Sequence, residues 1–241
     1  MKNLVKGMLI GAASVTALLA AAEDKTILDL NFDNGLESGV YEFGTRGGAA
    51  LIDEEGHGKV LKTFDAAKGT KRGNGVVLRG EAAKEFTPEA FTWSLKFKYT
   101  GKAPAELTKG SYNFLLDCRY RGKTAKGGMT ANLVVSPKAT NLVISLTYKD
   151  GKSGSFTFKV PTAVDGKWHD ISITAASPKL TLKFDDQTFN RVMLGVPAPA
   201  PHRLVIGDCV GSSYGPFNGL IDDVKLTVPA TPAATEAPAA K

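Results

Sequence analysis

The nine residues from Phe91 to Tyr99 constrain the fold more than any other stretch of the 241-residue chain. They read Phe-Thr-Trp-Ser-Leu-Lys-Phe-Lys-Tyr, with Phe91, Trp93, Leu95, Phe97 and Tyr99 alternating with Thr92, Ser94, Lys96 and Lys98. A period of two sends successive side chains to opposite faces, so this is a strand with one buried and one wet surface. The pattern recurs at Tyr112/Phe114/Leu116/Cys118, Leu142/Ile144/Leu146/Tyr148, Phe156/Phe158/Val160, Ile171/Ile173 and Leu180/Leu182/Phe184. Asp150-Gly151, Asp165-Gly166 and Asp185-Asp186 supply turn chemistry between the runs. Gly80 to Phe86 is the best helical candidate, one or two turns long. Many short strands with regular punctuation predict an all-β sandwich or barrel.

The ends of the chain read differently. Lys2 and Lys6 precede a largely apolar run from Met8 to Leu19, followed by Ala20-Ala21-Ala22 and the acidic pair Glu23-Asp24. That order predicts a secretory signal peptide over residues 1–22. The run is shorter than the roughly 20 residues a membrane span needs, and no cysteine follows it to carry a lipid. Residues 229–241, rich in Pro and Ala, are expected to form an extended disordered tail. Between them, residues 26–228 suit one large β-domain. Losing Lys2 and Lys6 takes the net charge from +6 to +4, since all 24 acidic residues lie downstream. No basic run is interleaved with aromatics, which argues against nucleic acid as a partner. No other stretch is apolar enough to insert in a membrane once the leader is removed.

Export bears on Cys118 and Cys209, the two cysteines of the chain. An even count in an oxidising compartment favours one disulfide, provided the α-carbons come within roughly 4.4–6.8 Å; otherwise they are two separately buried thiols. Lys96, Lys98, Lys159, Lys183 and Lys225 load the wet faces. They blunt sheet edges and keep the protein in solution, or else cradle an acidic polymer.

The second half carries a more specific pattern. Gly166-Lys-Trp-His-Asp-Ile-Ser-Ile-Thr174, then Leu180 to Asp186, Leu204-Val-Ile-Gly207 and Phe217-Asn-Gly-Leu-Ile-Asp-Asp-Val-Lys-Leu226 follow in order. These segments resemble successive strands of laminin G-like domains in the concanavalin A-like lectin/glucanase superfamily. Asp186-Gln187 stands where that family has an Asp-Gly turn. Ile27 to Asp33 is similar to the family's first strand and Phe91 to Tyr99 to its central one. The resemblance spans residues 26–228 and implies two antiparallel sheets packed as a jelly roll. In the last strand, Leu220, Val224, Leu226 and Val228 share a face with Asp222, so its carboxylate is expected to accept from a neighbouring loop. Trp168 is expected to be a core or hinge aromatic. His169 and Asp170, as strand neighbours, point to opposite faces, which argues against a His-Asp dyad.

The residues show little catalytic chemistry. Related glucanases carry a Glu-x-Asp-x-x-Glu strand, which this chain lacks, and Asp222-Asp223 are adjacent and so fall on opposite faces. Only His57, His169 and His202 are available for a triad, and there is no zinc spacing or phosphate loop. No enzymatic role is expected. The resemblance also implies a calcium site at the sandwich rim, where Asp117-Cys118 and Asp208-Cys209 each end a predicted strand; Asp117 and Asp208 are the candidate ligands. Tyr214, Ser212 and Ser213 in the adjoining loop are candidate sugar contacts. The expected protein is a secreted, non-catalytic module that recognises a carbohydrate or another cell-envelope or matrix component. The alternatives are a glycoside hydrolase or lyase relative and a structural surface protein with its tail as spacer.

Overall fold

A computed structural model describes residues 24–63, 74–78, 86–121, 126–199, 204–209 and 216–230. Two antiparallel sheets face each other across one core. The first runs β16 (Gln187–Val192), β15 (Lys179–Phe184), β14 (Trp168–Ala176), β7 (Ala90–Tyr99), β18 (Gly219–Val228), β5 (Gly58–Lys62), β4 (Ala50–Glu54), with β1 (Lys25–Leu30) also paired to β18. The second runs β13 (Ser153–Lys159), β12 (Ala139–Thr147), β11 (Met129–Ser136), β8 (Ser111–Asp117), β17 (Val205–Ile206), β6 (Gly75–Leu78), β3 (Tyr41–Arg46), β2 (Glu37–Ser38). A two-stranded ribbon, β9 (Tyr120–Arg121) and β10 (Lys126–Gly127), completes the set. Of the sandwich or barrel that the alternation predicts, this is the sandwich, with the two antiparallel sheets that the resemblance implies. The leader 1–22, residues 80–85 of the helical candidate, the loop 210–215 and the tail from residue 231 lie outside the described residues. Among the described residues no helix is long and apolar enough to cross a membrane.

The centre of the first sheet follows the sequence. Phe91, Trp93, Leu95, Phe97 and Tyr99 of β7 are all buried, against Ile171 and Ile173 of β14 and Ile221 and Leu226 of β18. Phe97 meets Phe217 edge-on at 5.7 Å, and Trp93 Nε1 donates to the Phe86 carbonyl at 3.1 Å. Each such side chain contributes about 1.5–3 kcal/mol by leaving water. Asp150-Gly151 forms its turn with Gly151 at φ 80°, and the strands close around it through the Tyr148 amide and the Lys152 carbonyl, 2.8 Å apart.

Two bulges correct the face assignments. On β8 the register slips between the pairs Phe114–Asn132 and Leu116–Ala131, so Leu115 is an extra residue. Leu115, Leu116 and Cys118 enter the core while Phe114 is buried on the outer face and Tyr112 is 48% exposed. On β18 the slip falls between Asp222 and Lys225, with Asp223 at φ 49°. Ile221, Val224 and Leu226 therefore fill the core, and Leu220 and Asp222 face outward opposite Lys98 and Lys96. Asp222 does not share the face of Val224 and Leu226, because an inserted residue reverses the alternation beyond it.

Candidate functional site

The outer face of the second sheet carries a polar cluster. Strand register puts Ser145, Thr130, Asp117, Val205 and Val77 in one row across five strands, with Asn132 and Phe114 opposite each other in the next. Thr130, Asn132, Phe114, Asp117 and Val205 are buried although they turn away from the core between the sheets. Arg119, two residues beyond Asp117, grips its carboxylate: Nε donates to Oδ1 at 3.0 Å and Nη2 to Oδ2 at 2.7 Å, with the Arg119 amide adding a bond at 3.1 Å. The guanidinium lies 5.4 Å from the Phe114 ring centroid, and Nη2 is 3.8 Å from Cys209 Sγ. A bidentate charge-assisted pair of this kind fixes both groups.

Asp208 has no such partner. It is fully buried, and among the described residues neither carboxylate oxygen makes a well-formed hydrogen bond; Arg46 Nε stands 3.9 Å away. Burial pushes its carboxyl above the ordinary range, and the charge of Asp117 adds to the push; the Cys209 amide, the Arg46 guanidinium and the Asn74 amide pull the other way without offsetting it. Gly75 makes the placement possible, since a Cβ there would collide with the Ile206 carbonyl and press on the Asp208 side chain. Asn132 Oδ1, also buried, has no hydrogen-bond partner among the described residues. Unsatisfied groups of this kind cost about 1–3 kcal/mol each.

The disulfide considered from the sequence is not formed. Cys118 and Cys209 are both buried and are not bridged to each other. Cys118 points into the core, where it contacts Thr87 Oγ1 at 3.2 Å and the Met129 carbonyl at 3.5 Å, and burial pushes its thiol up to about 11. Cys209 lies outside that core, against Arg119. The two thiols thus serve opposite faces of the sheet.

The donors at the expected calcium site do not fit that ion. Asp117 gives both oxygens to Arg119, and two guanidiniums approach where a hard cation would need oxygen ligands. Among the described residues no three His, Cys, Asp or Glu side chains gather around one point. Ser212, Ser213 and Tyr214 lie outside the described residues, but their segment is bounded by Cys209, beside Arg119, and Pro216, bridged to Phe114. Arg46, Arg119 and Asn132 were missed by sequence reasoning. Asp117-Cys118-Arg119 held the one available signal, opposite charges two apart on one strand face.

The outer face of the first sheet is differently made. The β4–β5 turn lays His57 on Trp168, ring centroids 4.1 Å apart, with His57 Nδ1 3.3 Å from Asp222 Oδ2. Asp222 is thus the acceptor for a neighbouring loop, and burial raises its pKa. Lys98 bonds Glu54 at 2.7 Å, Lys96 bonds Asp223 at 2.8 Å and Lys225 approaches Asp29 at 3.2 Å. Three of the five lysines of the wet faces are therefore paired with carboxylates. His169 does engage carboxylates, though not that of Asp170: Nδ1 is 2.8 Å from Asp185 Oδ2 and Nε2 is 3.0 Å from Asp165 Oδ1. The ring stacks on Phe184 at 5.1 Å, tying the β15–β16 turn to the segment before β14.

No family model matches the chain. Calsyntenin-3 of Danio rerio is 39% identical over 59 residues, a match covering 22% of this chain and 6% of that protein's length. Among solved structures, the chain is similar to domain 4 of AbnA, a GH43 extracellular arabinanase from Geobacillus stearothermophilus, in complex with arabinotriose. That likeness has a TM-score of 0.56 at 18% identity and covers 87% of this chain and 96% of the domain. The binding domain of botulinum neurotoxin serotype G aligns with a TM-score of 0.60 at 10% identity, over 84% of this chain and 47% of that one. At these identities the likeness establishes the β-sandwich fold.

Proposed function

We propose that this chain is an exported, non-catalytic recognition module that binds a glycan of the cell envelope or matrix on the outer face of its second sheet. The observation that carries the reading is Asp208, a fully buried carboxylate that makes no well-formed hydrogen bond among the described residues. A stability cost maintained beside two guanidiniums is characteristic of a functional site. The Arg119 and Arg46 side chains are 19% and 29% exposed, so each presents donors to solvent while its other side rests against a buried carboxylate. Such donors suit sugar hydroxyls or a sugar carboxylate. An arabinanase domain in complex with arabinotriose and a neurotoxin binding domain on the same fold support the reading. The leader-like segment 1–22, the extracellular origin of the arabinanase and the calsyntenin match support export. The finer kinship with laminin G-like domains rests on Trp168-His169, Ile206-Gly207 and Phe217 to Leu226, and belongs to the same proposal.

The test is a glycan array probed with the wild-type protein, Arg46→Ala and Asp208→Asn, each with and without a chelator. Binding by the wild type that both substitutions abolish, and that the chelator leaves intact, supports the reading. Binding to no glycan overturns it. One observation favours a glycoside hydrolase instead: Asp117 and Asp208 are buried carboxylates in unequal environments, one paired with Arg119 and one pushed toward protonation. Splitting two carboxyls in this way is how an acid and its partner are made. Release of reducing ends that Asp208→Asn abolishes would decide for hydrolysis.

A further inference from the structure

The opposite end of β8 holds a separate cavity. It is about 580 Å³ in volume, and Tyr99, Thr100, Lys102, Glu106, Ser111 and Asn218 are among the residues that line it. That is within the size range of small-ligand sites, roughly 300–1,000 Å³. Ser111 and Asp117 are six residues apart on one strand, about 20 Å when extended, so this cavity is distinct from the Arg119 cluster.

Its wall is a connected hydrogen-bond chain anchored in the interior. Asn218 Nδ2 donates to Asn113 Oδ1 at 2.8 Å; Asn113, fully buried, donates to Ser111 Oγ at 3.1 Å and to the Leu133 carbonyl at 3.2 Å. The buried Tyr99 hydroxyl donates to the Lys102 carbonyl at 3.2 Å. Ser111 Oγ accepts from Asn113, and its hydroxyl turns toward that of Tyr99, which closes this part of the wall. Asn218 spends one of two amide hydrogens on Asn113 and keeps its carbonyl oxygen as an acceptor. Gly101 has no room for a side chain, since a Cβ would collide with the Tyr99 hydroxyl and ring. The loop is therefore drawn tight over the aromatic floor, and Glu106 Oε2 holds it from the far side by accepting from the Ala103 amide at 2.7 Å.

We infer that this cavity is a second ligand site, for a neutral sugar unit. Hydroxyl and amide groups that both give and accept match vicinal hydroxyls. One lysine and one glutamate at the lining cancel in charge, so the chemistry selects neither an anion nor a cation. The inference shares with the proposed function only the class of ligand.

Backbone amide shifts of the isotope-labelled protein, titrated with neutral cello-, xylo-, manno- and arabinotriose and with a trigalacturonate control, test it. Saturable shifts centred on Gly101, Ser111 and Asn218 with a neutral trisaccharide are expected. Ser111→Ala, which releases the Asn113 amide that positions Asn218, should weaken that binding about tenfold. Thr100→Trp, at an exposed position, should abolish it by occlusion. Arg46→Ala should leave these shifts unchanged. The inference is overturned if no neutral sugar moves these amides, if Ser111→Ala and Thr100→Trp bind as wild type, or if only trigalacturonate binds. Shifts confined to residues around Arg119 would reject this cavity and keep the proposed function; shifts confined to Gly101, Ser111 and Asn218 would do the reverse.

Discussion

The two outer faces of the sandwich handle charge in opposite ways. On the first sheet, Lys96, Lys98 and Lys225 each meet a carboxylate, and the buried Asp222 has His57 and the Asp223 amide. On the second, Asp117 is saturated by Arg119 while Asp208 makes no well-formed hydrogen bond among the described residues. The same fold and the same residue types produce both faces, so composition does not separate them. What separates them is whether the neighbours complete the polar groups. The first face is largely finished by the chain itself, with Trp168 Nε1 left as a buried donor that makes no well-formed hydrogen bond among the described residues. The second leaves donors and acceptors for something else to complete, and substitutions should reveal that asymmetry.

The largest effect is expected at Asp117. Replacing it with alanine leaves the Arg119 guanidinium against Phe114 and Cys209 with its buried partner gone, and breaking such a pair costs about 3–5 kcal/mol. Urea denaturation should show a lower midpoint with an unchanged slope. Asp208→Asn should move stability the other way. A carboxyl whose folded pKa lies above its ordinary 3.8 holds its extra proton in the folded state. The associated stability is full below the ordinary value and is lost as pH rises through the raised one. The amide cannot ionise, so the variant should gain about 1–3 kcal/mol at pH 7 and lose that part of the pH dependence above about pH 4. Melting curves across pH 4–8 check both. A more stable variant that no longer binds would mark Asp208 as functional. An unchanged melting temperature at every pH would place its cost elsewhere and break the comparison.

How much of this was legible in the sequence follows from what alternation encodes. Phe91 to Tyr99 named their own faces because nothing interrupts the register of β7. Tyr112 to Cys118 and Leu220 to Val228 misled beyond one residue each, because a bulge at Leu115 or Asp223 leaves the residue types unchanged and only reverses parity. Asp117 and Asp208 were found as a pair, since both end predicted strands. Arg46 was not, because its approach to Asp208 depends on β3, β6 and β17 lying side by side, a tertiary fact. The two cysteines failed as a bridge for the same kind of reason: neighbouring strands in one sheet can send their thiols to opposite faces.

The remaining variants test whether the first face is as self-sufficient as its pairings indicate. His57→Ala removes the stack on Trp168 and the bond to Asp222, and should cost about 1 kcal/mol. Because Asp222 then stays buried without its ring partner, the loss should grow as pH rises above the ordinary carboxyl range, opposite in sign to the gain from Asp208→Asn only in stability and not in binding.

Lys225→Ala is the smallest and the most discriminating. Its partner Asp29 is 3.2 Å away, and the two side chains are 42% and 55% exposed, so solvent screens the pair. Exposed ion pairs contribute about 0–1 kcal/mol and less in salt. The variant should lose no more than about 0.5 kcal/mol at low ionic strength and be indistinguishable from wild type in 0.5 M salt, roughly where the screening length falls below 5 Å. Glycan binding should be unaffected at either ionic strength. If Lys225→Ala instead abolished binding while stability held, the finished face would be the recognising one, and the open carboxylate of Asp208 would be a cost without a ligand.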